Sequence, residues 1–136
     1  MSRGMKYVDA PQLNLLVAWV WIFLGFLSGF AMGIKFHEEG WLGGYASFKR
    51  RMLRLGHISF FGLGAVNFMF YLTAHAQMLS GAWLQTAGWS FALGALSMPL
   101  VCCAMAFHAK CRPLFLIPVG SLISGAVFTL IDLATL

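Results

Sequence analysis

Charged side chains are scarce in this chain. Its 136 residues include 9 Lys and Arg and 4 Asp and Glu, so that 10% of the residues are charged, whereas about one quarter are charged in a typical soluble domain. Hydrophobic residues make up 60% of the chain, and a globule of this size cannot hide that much apolar surface from water. The composition excludes a soluble globular protein and a disordered chain, and it predicts a protein of the lipid bilayer.

Cysteine is also rare, and the sequence motifs of catalysis are missing. The three cysteines, Cys102, Cys103 and Cys111, form no CxxC pair, which excludes a disulfide framework and favours buried thiols. The chain has no GxSxG, no HExxH, no glycine-rich phosphate loop and no paired carboxylates. We therefore predict no catalytic residues.

Four apolar runs dominate what is present: residues 13–34, 53–78, 83–107 and 113–133. Each is long enough to cross a hydrocarbon core of about 30 Å, which takes about 20 helical residues. Helices are expected because a backbone in lipid must satisfy its own hydrogen bonds, and short connections favour antiparallel neighbours. The sequence predicts one integral-membrane domain over residues 1–136, an all-α four-helix up-down transmembrane bundle.

The basic residues collect at the ends of these runs, and mostly on one side. By this topology, one side holds Lys35, Lys49, Arg50, Arg51, Arg54, Lys110 and Arg112, and the other holds Arg3 and Lys6. Because cytoplasmic loops are enriched in Lys and Arg, both termini are predicted on the outer side of a bacterial inner membrane or an equivalent organelle membrane. This placement explains the net charge of +5 without a nucleic-acid partner.

Small and amide side chains in the runs predict helix packing. Gly25, Gly29 and Gly33 recur at every fourth position, a pattern that lets two helix backbones approach closely in lipid. We expect this face to contact another helix, within the chain or in a partner subunit. Asn67, in the middle of the second run, is expected to hydrogen-bond between helices.

The histidines are the candidate cofactor residues, because ionisable groups in a membrane are costly and usually functional. His37, His57 and His108 are predicted at the cytoplasmic rim. His57 and His108 come from different helices at matching depths, with Gly64 and Gly94 leaving room for a porphyrin, and could ligate a b-type haem from its two sides. In architecture alone, the arrangement resembles membrane cytochromes b and the haem-binding anchors of respiratory dehydrogenases.

Two alternatives to haem follow from the same residues. Two axial nitrogens need helices farther apart than the about 8–10 Å of a packed pair, so the histidines could instead hydrogen-bond at the rim or face headgroups. Zinc or copper could be held by the rim histidines with Cys111 or with Glu38 and Glu39, but no HxxxH or CxxC spacing favours it. We therefore predict no metal site. No role is predicted for His75 or Asp132, near the outer rim.

The first connection carries a basic cluster, which consists of Lys49, Arg50, Arg51 and Arg54. Such a cluster attracts anionic lipid headgroups or an acidic partner surface, with about 1 kcal/mol per charge. The Gly43-Gly44 pair predicts a jointed connector and no continuous helix at this point.

The size of the chain and its lack of catalytic motifs favour a part of something larger. The leading prediction is an integral-membrane accessory or anchor subunit of a respiratory or photosynthetic electron-transfer complex, in contact with lipid and with other membrane subunits. The alternative is a b-type cytochrome with His57 and His108 as axial ligands. A small transporter is disfavoured because charged residues at mid-depth and a repeat between halves are both absent.

Overall fold

The computed structural model describes residues 9–135, which form four long helices and no strand. The helices are α1 (Ala10–Lys35), α2 (Phe48–Ala76), α3 (Ala82–Phe107) and α4 (Leu116–Ala134). All four are long and apolar enough to cross a membrane. The predicted all-helical fold with four such helices is confirmed.

The starts of α1, α2 and α4 differ from the predicted boundaries: α1 begins at Ala10 and not at residue 13, and the other two starts lie at the end of the molecule that carries most of the basic residues. α2 begins at Phe48 and not near residue 53, because the Ser47 hydroxyl accepts a hydrogen bond from the Arg50 amide at 3.2 Å and caps the helix. The basic cluster therefore lies on helical backbone. Before α4, Ala109–Phe115 forms a 3₁₀ helix, since Pro113 lacks an N–H and restricts the residue before it.

The connection between α1 and α2 is bent by residues with positive φ. A 3₁₀ turn over Trp41–Gly43 is followed by Gly44 at φ 93° and ψ 169°, a region of backbone conformation that is essentially restricted to glycine. The jointed connector that the Gly43-Gly44 pair predicted is present in the structure.

α1, α2 and α3 contact one another, whereas α4 packs mainly on the outer side of α3. Along α1 and α2 the contacts run in opposite order, because Asn14 hydrogen-bonds Asn67 and Ser28 hydrogen-bonds His57. Between α1 and α3, the Trp21 indole donates to the Ala95 carbonyl at 3.0 Å.

The interior is small, and most large apolar side chains face outward. The buried clusters hold few residues: Phe70, Ala74, Leu84, Ala87 and Phe91 in one, and Trp21, Leu63 and Ala95 in the other. By contrast, Phe30 is 71% exposed and Leu116 is 74% exposed. This distribution fits a lipid environment, where apolar surface needs no shielding.

A buried amide pair joins the three central helices at the end where α1 begins. The Asn14 side-chain amide donates to Asn67 Oδ1 at 2.6 Å and to the Gly88 carbonyl at 3.0 Å, and Asn67 donates to Leu63 of its own helix. Both asparagines are fully buried. The interhelical hydrogen bond expected of Asn67 is therefore formed.

The glycine face of α1 is occupied over two of its three positions. An added Cβ would lie 2.7 Å from the Phe61 ring at Gly25 and 2.9 Å from the His57 ring at Gly29, whereas nothing lies within 4 Å at Gly33. Gly25 and Gly29 therefore provide the space that two α2 rings fill.

The two glycines predicted to make room for a porphyrin are covered by neighbouring helices. At Gly64 an added Cβ would lie 3.2 Å from the Ala18 carbonyl of α1, and at Gly94 it would lie 2.6 Å from Leu122 of α4. Helix packing fills both positions.

Candidate functional site

A half-open cavity of about 500 Å³ lies between α1, α2 and α3. It lies beyond the contact between Trp21 and Ala95, toward the Lys35 end of α1. Its walls are almost entirely apolar and include Leu24, Met32, Leu53, Phe60, Leu96 and Pro99. We refer to it as the α1–α3 cavity.

Exposed residues border this cavity on two helices. Ala31 of α1 and Leu100 and Cys103 of α3 line it and are exposed. If the helices lie in a bilayer, such a border opens the cavity to lipid and not to water. Trp41, from the α1–α2 connection, lines it at the polar end.

His57 and Ser28 place polar side-chain atoms in the cavity wall. His57 Nδ1 lies 2.9 Å from Ser28 Oγ, and the Ser28 hydroxyl donates its one hydrogen to the Gly25 carbonyl at 3.0 Å. When the Ser28 hydrogen is directed to the Gly25 carbonyl, the serine oxygen accepts from the imidazole at Nδ1. In that tautomer of neutral His57, Nε2 is an unprotonated acceptor.

The orientation of the His57 ring is fixed from two sides. Gly29 lies against its Cε1 edge, where even a methyl group would lie at 2.9 Å. Phe61 packs perpendicular to the ring, with 5.5 Å between the centroids. Within residues 9–135, no group hydrogen-bonds Nε2, so this nitrogen is available to a ligand.

The structure does not bring the other rim histidines to the cavity. His108 ends α3 in extended conformation, its amide bonded to the Ala104 carbonyl, and its side chain is exposed. His37 is exposed in the turn that follows α1. Over the part of the chain that the structure describes, no three His, Cys, Asp or Glu side chains are grouped to hold a metal ion.

Within the basic cluster, Arg50 differs from its neighbours. Arg50 was predicted to contact lipid headgroups or a partner surface, but it is only 2% exposed. Its guanidinium lies 5.0 to 5.6 Å from the ring centroids of Phe36, Trp41 and Tyr45. It also donates to the Phe36 carbonyl at 3.0 Å. Arg50 thus links α2 to the first connection. The contacts between its planar cation and the three rings stabilise this link.

The remaining members of the cluster stay at the surface. Lys49 and Arg51 are exposed. Arg54 is partly buried, because its guanidinium lies 4.4 Å from the Tyr45 ring centroid and donates to the Tyr45 carbonyl.

At the opposite end of the helices, His75 is exposed and packs on Tyr71, with 4.4 Å between the ring centroids. Asp132 is partly buried near the end of α4. Arg3 and Lys6, which were counted on this side, lie outside the described residues.

Sequence reasoning selected His57 and missed the role of Ser28. Ser28 carries the only hydroxyl group in α1, which is a weak indication of a polar contact. Its pairing with His57 depends on how α1 and α2 are aligned, which the sequence pattern alone does not give. Comparison of the chain with protein-family models, curated proteins and solved structures finds no match.

Proposed function

We propose that the four helices cross a bacterial inner membrane or an equivalent organelle membrane alternately, with both termini on the outer side. Support comes from the unequal distribution of Lys and Arg. It also comes from two contacts that join the start of α2 to the end of α3 and to the 3₁₀ helix after it: Lys49 lies over the Phe107 ring, and Arg112 lies over the Phe48 ring. These contacts hold the two basic connections at one end of the molecule.

We further propose that the chain is a subunit of an electron-transfer assembly and that it binds a quinol-type carrier in the α1–α3 cavity. The observation that carries this proposal is the position of His57 in the wall of an apolar cavity, with Ser28 at 2.9 Å from its Nδ1. In this cavity an imidazole faces walls that are otherwise almost entirely apolar.

The chemistry of a quinol matches the wall in two respects. Its hydroxyl group donates a hydrogen bond, which an imidazole with the proton on Nδ1 accepts at Nε2. Its apolar tail fits walls of Leu, Met, Phe and Pro and can leave through the border that faces lipid. The oxidised quinone carries carbonyl groups that only accept, so neutral His57 favours the reduced form.

This preference is measurable with the purified protein in detergent. Trp21 and Trp41 line the cavity, so a decyl-substituted benzoquinone or benzoquinol bound there quenches tryptophan fluorescence. We expect the benzoquinol to bind more tightly than the benzoquinone. In His57→Leu, quinol affinity should fall about 5- to 10-fold, which corresponds to the free energy that one hydrogen bond contributes.

The matched control is His75→Leu, which removes an exposed histidine from the same helix and should leave quinol affinity unchanged. Equal quinol affinity in wild type and His57→Leu would contradict the proposal.

To test the subunit assignment, the protein is extracted from its native membrane in mild detergent and run on native electrophoresis. Migration only as a free monomer would count against it.

A b-type haem is the second candidate, and the same nitrogen favours it. A histidine that ligates a metal usually donates its other ring N–H to a polar group, as His57 does to Ser28. His108 does not line the cavity, so a second axial ligand has to come from another position or chain. A reduced-minus-oxidised spectrum with a sharp alpha band, lost in His57→Leu, would support haem in place of quinol.

A further inference from the structure

A second cavity, of about 540 Å³, lies at the basic end of the helices, between the start of α2 and the α3–α4 connection. We call it the rim cavity. Its lining includes Ser47, Phe48, Lys49, Phe107, Ala109 and Arg112. It shares no lining residue with the α1–α3 cavity.

Two cations from different segments are held in the wall of the rim cavity by crossed contacts. Lys49 Nζ of α2 lies 5.9 Å from the centroid of the Phe107 ring of α3. The Arg112 guanidinium lies 5.6 Å from the centroid of the Phe48 ring of α2. α2 thus supplies one cation and one ring, the end of α3 supplies the second ring and the 3₁₀ helix after it supplies the second cation. Such cation–π contacts restrict where both charges can lie.

Neither cation is neutralised by the described part of the chain. Over residues 9–135 the ion pairs comprise one contact, between Lys35 and Glu38 at 2.8 Å. No carboxylate lines the rim cavity. Two exposed cations that line a cavity without a carboxylate in its wall form a site complementary to an anion.

We propose that the rim cavity binds the phosphate group of an anionic phospholipid, with Lys49 and Arg112 as its two charged contacts. Arg binds phosphate oxygens through a planar pair of donors and Lys binds them as a point charge. A lipid is the source of the phosphate because the site lies where four apolar helices end, so the acyl chains continue along exposed apolar residues such as Phe107 and Leu114. The inference is independent of the quinol site, since His57 takes no part in it.

The experiment compares two double variants of equal net charge. Lys49→Gln with Arg112→Gln removes the two cations of the rim cavity, whereas Arg51→Gln with Lys110→Gln removes two exposed cations of the same end that do not line it. The purified full chain is titrated with phosphatidylglycerol or phosphatidylcholine in neutral detergent, and bound lipid is counted by native mass spectrometry.

We expect wild type to retain phosphatidylglycerol in preference to phosphatidylcholine. The first double variant should lose about 30-fold in phosphatidylglycerol affinity, which corresponds to the free energy that two charges contribute at a membrane surface. The second double variant should lose less than about 3-fold. The charge-preserving pair Lys49→Arg with Arg112→Lys should retain phosphatidylglycerol, which separates loss of charge from loss of folding.

Equal losses in the two charge-removing variants would overturn the proposal, because they would indicate a diffuse effect of surface charge. A second arm adds inorganic phosphate at millimolar concentration. Displacement of phosphatidylglycerol by inorganic phosphate in wild type would assign the site to free phosphate and overturn the lipid assignment. No displacement supports the lipid.

Discussion

At the scale of single residues, the chemistry of His57 depends on two neighbours in α1. Ser28 forms a hydrogen bond with Nδ1 of the ring, and Gly29 leaves the space in which the ring lies. Two adjacent residues of α1, a serine and a glycine, therefore position a histidine of α2 in the wall of the α1–α3 cavity. The sequence pattern marked Gly29 for helix packing but did not pair either residue with His57.

Glycines with different surroundings provide a test of the packing. Gly88 in α3 is so enclosed that an added Cβ would lie 2.7 Å from Ala10 and 2.8 Å from Asn14 Oδ1, whereas Gly33 in α1 faces open space. We expect Gly88→Ala to lower the free energy of unfolding by about 1–3 kcal/mol, as overpacking does.

The matched variant, Gly33→Ala, should be neutral or stabilise by up to about 1 kcal/mol, because alanine favours helix over glycine. Both are measured by thermal unfolding in the same detergent. Similar melting temperatures for the two variants would show that the amide pair of Asn14 and Asn67 does not depend on the close approach at Gly88.

At the scale of elements, the first connection is held to α2 through Arg50. The residue lies in the first turn of a helix that Ser47 caps, and its guanidinium lies among three rings of the connection. Arg50 was predicted to lie in a surface cluster because the residues on either side of it, Lys49 and Arg51, are also cations. Its burial follows from the earlier start of α2, which turns this position toward Phe36 and the connection.

Removal of this cation should release the connection. In Arg50→Gln we expect trypsin to cleave after Lys35 about 10-fold faster than in wild type, because the Phe36 carbonyl loses its donor and the three rings lose their cation. Limited proteolysis in detergent, followed by mass spectrometry of the fragments, measures the rate.

Arg51→Gln is the control for this experiment, since it removes an exposed neighbouring charge and keeps Lys35. The rate of cleavage after Lys35 should remain that of wild type. An unchanged rate in Arg50→Gln would mean that the connection is held without the buried guanidinium.

At the scale of the whole molecule, the proposed topology predicts which lysines are reachable from outside. A membrane-impermeant amine reagent applied to intact cells should leave Lys49 and Lys110 unmodified and should modify Lys6, which precedes α1. After permeabilisation, Lys49 and Lys110 should react as well, since both are exposed. Peptide mass spectrometry identifies the sites.

Modification of Lys49 in intact cells would show that the orientation is the reverse of the one proposed. It would leave the cavities where they are but would place the rim cavity at the other face of the membrane. The quinol test would not be affected, because it depends on contacts among α1, α2 and α3.

The general architecture was predictable because hydropathy is a property of the local sequence. Runs of about 20 apolar residues become helices wherever backbone groups must bond within their own segment, and the cations at their ends are visible in the sequence. The start of α2 at Phe48 was less predictable, because it depends on one capping serine in a polar stretch.

The sequence by itself determined the number and approximate extent of the helices and the scarcity of charge within them. Only the tertiary structure decided that His57 pairs with Ser28 and not with His108, that Arg50 is buried, and that Gly64 is filled by α1. In lipid, no hydrophobic force joins one helix to another, so small residues and a few interhelical hydrogen bonds determine rotation and register. Those contacts involve residues far apart in the chain, and their pairing follows only once the helices are packed.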